Sequence, residues 1–239
     1  VRDPQLRQRD VLLKHDPHRV EGRNRLEHGT ILHTVIKTSP GNPMIPRLAY
    51  VAIFVASVVL FTLFRPPPCL ALYGGVALYA AFLPVSRAVQ WRLGKSFPLA
   101  FAVYFLALMA GGAVTVAIPQ IRESVELLRE RQDQFFAVAQ TCPLGSFAVA
   151  MQAVFLAPLV EEVIFRGILF EEVRRRWGPA PAYVASSLVF ALLHRLGLAA
   201  VPIFIVALAL AFAYHKWGLP ASIMLHATQN TLALFIRSL

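Results

Sequence analysis

Apolar residues run in long blocks along this chain, near 48 to 64, 69 to 86, 97 to 118, 145 to 170, 181 to 200, 201 to 214 and 217 to 236, with short polar or basic breaks between them. Most blocks approach the ~20 residues that cross a hydrocarbon core as a helix. The pattern predicts an all-α fold, a polytopic transmembrane helix bundle of about seven helices. Between the third and fourth blocks, "IRESVELLRERQDQFF" (121 to 136) sets Ile121, Val125, Leu128 and Phe135 or Phe136 at helical intervals among charges of both signs. That spacing suits a short helix on the membrane surface, and equally a solvated helix in a loop.

Three segments follow. Residues 1 to 46 are polar, basic and irregular, and lack the apolar core of a signal peptide. They read as a cytoplasmic tail, or as sequence ahead of a start at Met44, just before "IPRLAYVAIFVASVVLF". The tail holds four of the seven histidines, and its His15 and His18 are read as solvated rather than metal-binding. Residues 47 to 144 hold the first membrane helices and the amphipathic stretch, and residues 145 to 239 hold the candidate catalytic core.

Composition narrows the class. At 57% hydrophobic and 15% charged, the chain is far more apolar than the core of a soluble domain requires. A net charge of +10 could point to nucleic acid, but the basic residues sit in the tail and in breaks between apolar blocks, without interleaved aromatics. The partner they imply is the lipid bilayer. With the tail inside, cytoplasmic loops carry Arg87, Arg92, Lys95, Arg174, Arg175, Arg176 and Lys216, while Arg65, Arg122, Arg129, Arg131, Arg195 and Arg237 lie opposite. Cys69 and Cys142 have no metal or redox spacing and are expected to form no disulfide framework.

The candidate chemistry comes from charges in the wrong place. Of thirteen acidic residues, five lie in the tail, four in 121 to 136, and Glu171 and Glu172 beside a run of arginines, which leaves only Glu161 and Glu162 inside an apolar block. A charge at the centre of a spanning helix costs on the order of 2.5 to 3.5 kcal/mol, so such groups pair or line a functional cavity. Glu162 and Arg166 are four apart, acid first, and can pair on one face as a simple salt bridge. Glu161 lies about 100° around the axis and is left over. A carboxyl without a fixed partner in an apolar site suits general acid–base work. Pro158, just before it, removes a backbone donor and frees a carbonyl.

Two later stretches supply partners: "FALLH" sets Phe190 and His194 four apart, and "HATQN" does the same for His226 and Asn230. His215, beside Trp217, reads as an interfacial residue. Counting 1.5 Å per residue from helix ends near Arg174, Pro181 and Trp217 places Glu161, His194 and Asn230 ~20 Å deep and His226 ~14 Å deep. Three alternating segments thus bring polar groups to one layer.

In order and spacing, "EEVIFR", "FALLH" and "HATQN" resemble the EExxxR, FxxxH and HxxxN motifs of the CPBP family, which contains the type II CAAX prenyl endopeptidases and bacteriocin-processing Abi proteins. The resemblance covers residues 145 to 236. Family members often carry glycines before the last motif, where this chain has alanines, which still permit close packing. The resemblance implies a multi-pass intramembrane endopeptidase of a bacterial inner membrane, acting without a cofactor on membrane-associated, lipidated or leader-bearing polypeptides. It implies that Glu161 and His194 activate water, that Glu162 and Arg166 support them, and that His226 and Asn230 stabilise the oxyanion. The alternative is a zinc protease in which Glu161, His194 and His226 hold the metal, though no HExxH pair is present. A scaffold or proton-coupled transporter is a further reading. The full residue set argues against the first, and the confinement of the motifs to one half argues against the second. Arg174 to Arg176 favour an opening on the cytoplasmic side.

Overall fold

The computed structural model describes residues 47–194 and 197–238. The tail, with Met44 and its histidines, lies outside the described residues, as do Arg195 and the side chain of Arg237. Among the described residues there are eight helices and no strand. They are α1 Arg47–Phe64, α2 Pro68–Ala88, α3 Leu99–Ala117, α4 Pro119–Ala139, α5 Gly145–Trp177, α6 Pro179–His194, α7 Ala200–Trp217 and α8 Leu219–Ser238. Helices α1, α2, α3, α5 and α7 are long and apolar enough to cross a membrane, and α6 is a shorter apolar helix. The expected all-α polytopic bundle is the observed one.

Direction alternates along the chain. Connections at 65–67, 118, 140–144 and 197–199 fall at one end of the bundle, and those at 89–98, 178 and 218 at the other. Helix α4 starts and finishes at the first end, so it lies across the bundle instead of through it. Near its start, Ser124 Oγ accepts from the Ala199 N–H at 3.1 Å in the α6–α7 connection. Its inner face is the one the spacing marked, with Ile121 buried and Val125, Leu128 and Phe136 partly so.

Just past α4, Cys142 is disulfide-bonded to Cys69 at the start of α2, with Cα atoms 5.7 Å apart. This corrects the expectation that the two cysteines form no disulfide framework. They are 73 residues apart in sequence, and only the folding of α4 across the bundle end brings them together. The opposite end carries Arg87, Arg92, Lys95, Arg174, Arg175, Arg176 and Lys216. There the turn between α7 and α8 depends on Gly218, whose φ of 95° favours glycine. A Cβ at this position would also stand 1.8 Å from the Arg92 carbonyl oxygen.

Packing is inverted relative to a water-soluble bundle. Leu60, Phe64, Phe105, Leu106 and Val116 are more than half exposed, a surface that suits hydrocarbon. Arg166 and Glu162 are fully buried. Around them Phe54 of α1 meets Tyr79, Phe82 and Phe165 edge to face with centroids 5.7, 5.0 and 6.0 Å away. Phe165 in turn meets Phe190 of α6 at 5.5 Å.

Helix α5 is not uniform. Met151–Leu156 and Val163–Phe170 are wound in the wider π register, with ordinary α-helix before, between and after. Such insertions occur often at functional sites, and here they bracket Glu161 and Glu162.

Candidate active site

The Pro158 expectation can be followed atom by atom. The N–H of Ala157 donates five residues back to Gln152 O, and the same register would pair position 158 with the carbonyl of Ala153. Proline has no N–H, so that carbonyl has no helical donor. Asn230 of α8 supplies one, its Nδ2 donating to Ala153 O at 2.7 Å. The last motif is thereby pinned to the helix that carries the first.

Glu162 is held from two sides. Its Oε1 lies 3.2 Å from Arg166 Nη1 and 3.0 Å from Nδ1 of His226, which donates to it. Arg166 also donates from Nη2 to the carbonyl of Ala207 on α7 at 3.1 Å. Ala207 and Ala211 are fully buried, and these small side chains let α7 come within reach of the guanidinium. Above Arg166, at 4.4 Å from its Cζ, lies the ring of Phe190. That ring is also 4.3 Å from the ring of His194 and 5.6 Å from that of His226. The phenylalanine of the second motif is the plate on which Arg166, His194 and His226 rest.

Glu161 is the residue left over, as its position on the helix predicts. Its Oε1 accepts from the Tyr79 hydroxyl of α2 at 2.5 Å. Its Oε2 is buried and, among the described residues, accepts no hydrogen bond. Two ring nitrogens approach that oxygen, His194 Nε2 at 3.6 Å and His226 Nε2 at 3.8 Å. His194 Nδ1 donates to the Phe190 carbonyl at 2.8 Å. Both histidines therefore have Nδ1 committed, which leaves Nε2 as the atom turned toward Glu161. All six candidate side chains are brought together, with Glu162 and Arg166 beneath and Glu161, His194, His226 and Asn230 lining a cavity of about 370 Å³. Among the described residues no group of three His, Cys, Asp or Glu side chains is arranged to hold a metal ion.

The cavity opens away from the arginine-rich end, contrary to the expectation drawn from Arg174 to Arg176. Its remaining walls come from Leu72 early in α2, Phe135 and Phe136 of α4, Gln152 early in α5 and Leu234 late in α8. All lie between the glutamates and the disulfide. Toward the arginines the site is closed by Ile164, Ile168 and Phe170, each no more than 1% exposed. The arginines themselves are drawn into local pairs, Arg174 with Glu171 at 2.7 Å and both Arg175 and Arg176 with Glu172. His215 at that end shares a 2.8 Å hydrogen bond between its Nδ1 and the Tyr183 hydroxyl.

Tyr79 and Gln152 stand at the site without any motif marking them. A tyrosine or glutamine in an apolar helix is too common to be a signal by itself. Gln152 has room because its neighbour on α2 is Gly75, where a Cβ would stand 2.9 Å from the amide nitrogen.

The family model described as type II CAAX prenyl endopeptidase Rce1-like matches residues 143–232, the stretch that carries all three motifs, and this match supports an intramembrane protease of the CPBP type. No curated protein and no solved structure gives a match.

Proposed function

We propose that this protein is an endopeptidase that hydrolyses peptide bonds of membrane-associated polypeptides with a water activated by Glu161 and His194. The observation that carries this reading is the approach of two histidine Nε2 atoms to the unbonded Oε2 of Glu161 at the inner end of a cavity. Among the described residues no serine or cysteine lines that cavity, so attack by water suits the site better than a covalent intermediate.

Water held between Glu161 Oε2 and His194 Nε2 gives a proton to the carboxylate as its oxygen bonds to the scissile carbonyl carbon. The carbonyl oxygen becomes the oxyanion of a tetrahedral intermediate. The His226 ring and the second N–H of the Asn230 amide stabilise it. Losing one such donor typically raises a barrier by about 2.7 to 4 kcal/mol. Collapse breaks the carbon–nitrogen bond, and the proton on Glu161 passes to the departing amine. Glu162 and Arg166 hold His226 in place and touch no reacting atom.

The test is cleavage of peptides by the purified protein in detergent. Glu161→Gln and His194→Ala should each abolish cleavage while thermal unfolding stays near that of the parent. Full activity in Glu161→Gln would overturn the assignment of the base. Loss of activity to a chelator, restored by zinc, would favour the metal reading in which Glu161, His194 and His226 are ligands.

A further inference from the structure

Three features of the molecule bear on which side of the membrane this site faces, and none belongs to the catalytic residues. Cytoplasmic loops of membrane proteins are enriched in lysine and arginine. Arg87, Arg92, Lys95, Arg174 to Arg176 and Lys216 mark one end of the bundle in this way, a modest lead over the six that chain order assigns to the other, Arg65, Arg122, Arg129, Arg131, Arg195 and Arg237. The second feature is the Cys69–Cys142 disulfide at that other end. Such bonds persist in oxidising compartments and are rare where thiols are kept reduced. Charge and redox chemistry, which are independent of each other, give the same orientation. The third is the cavity, which opens beside the disulfide. Leu72 lies one turn beyond Cys69, and Phe135 and Phe136 sit on the helix that leads to Cys142.

From this geometry we infer that the site opens onto the oxidising, non-cytoplasmic face of the membrane, and that its substrates are membrane-anchored polypeptides presenting the cleaved segment on that face. The second half rests on the proteolytic function proposed above. The apolar and aromatic wall of Leu72, Phe135, Phe136 and Leu234 suits a segment with apolar side chains beside the scissile bond, as found where an anchor leaves the bilayer. The outer face of α4, where Arg122, Glu126, Arg129 and Arg131 are exposed, suits contact with lipid headgroups.

Labelling with a membrane-impermeant maleimide in intact cells decides the face without reference to activity. In a Cys69→Ala/Cys142→Ala background, Arg131→Cys on α4 should label in intact cells, and Lys95→Cys only after permeabilisation. The reverse order would overturn the inference. In the unaltered chain, both native thiols should resist maleimide after rapid acid quenching and react once reductant is added. Free thiols in quenched cells would overturn the oxidising face even if the cysteine-free background folds poorly. For the substrate, protein termini in membranes holding the parent should be compared with those in membranes holding Glu161→Gln. Termini that vanish in the variant should map to the face that labels through Arg131→Cys. Termini mapping to the Lys95→Cys face would overturn the substrate assignment. No change in termini would overturn proteolysis itself, while the labelling would still give the direction of the opening.

Discussion

The side-chain amide of Asn230 donates to the carbonyl of Ala153 at 2.7 Å, taking the acceptor that Pro158 leaves without a helical donor. Asn230 also lines the cavity, so its remaining N–H is free for the oxyanion role proposed above. The two roles separate experimentally. Asn230→Ala should cost about 1 to 3 kcal/mol of stability, the usual penalty for a buried acceptor without a partner. Pro158→Ala restores a backbone N–H, so the same substitution in that background should cost less than about 1 kcal/mol. Unfolding of the four proteins in detergent measures the difference. Equal costs in both backgrounds would show that Asn230 does not serve this carbonyl.

A buried ion pair behaves differently when one partner is removed than when both are. Glu162 and Arg166 are fully buried and 3.2 Å apart. Arg166→Met should destabilise the protein by about 3 to 5 kcal/mol, because it strands the Glu162 carboxylate in an apolar surround. Adding Glu162→Gln to Arg166→Met should recover a large part of that loss. Arg166→Lys should fall between, since an ammonium keeps the charge but loses the planar stack on Phe190 and the bond to Ala207 O. Melting temperatures of the set would order them, and a double variant no more stable than Arg166→Met would refute the account.

What could be read from the sequence follows from the cost of charge in hydrocarbon. Glu161, Glu162 and Arg166 stand out because an apolar helix tolerates them only for a reason, and their spacing alone separates the glutamate that Arg166 pairs with from the one it does not. His194, His226 and Asn230 follow from depth. Tyr79 does not, because a tyrosine on α2 costs little in a membrane and has no motif around it. The hydrogen bond from Tyr104 to Gln229 escapes for the same reason. The π register of α5 leaves one trace, Pro158, and no residue pattern announces its length. The disulfide is invisible because its cysteines are distant in sequence. The direction of the opening is equally hidden, since a residue at mid-depth is as far from one end as from the other.

The disulfide ties α2 to the α4–α5 connection at the mouth of the cavity, and bonds of this kind typically contribute about 2 to 4 kcal/mol. Cys69→Ala/Cys142→Ala should therefore melt at a lower temperature than the parent. Reductant should lower the parent to nearly the same value and leave the variant unmoved. A parent insensitive to reductant would mean that packing of α4, through Ile121 and Ala139, holds that end without help.

Tyr79 offers the sharpest test of how Glu161 is aimed. Its hydroxyl donates to Oε1 at 2.5 Å, which fixes the carboxylate with Oε2 turned toward His194 and His226. The tyrosine touches no reacting atom, so it acts by position. Tyr79→Phe removes the hydroxyl and keeps the ring against Phe54, 5.7 Å between centroids, so the fold should be preserved. A hydrogen bond to a charged group is worth about 1.5 to 3 kcal/mol, which corresponds to a loss of roughly ten- to a hundredfold in rate. Because the bond serves the proposed general base, the loss should fall on kcat and leave KM near the parent value. An unchanged kcat would show that packing alone orients Glu161, and a rise in KM with kcat intact would move Tyr79 from aiming the base to binding the substrate.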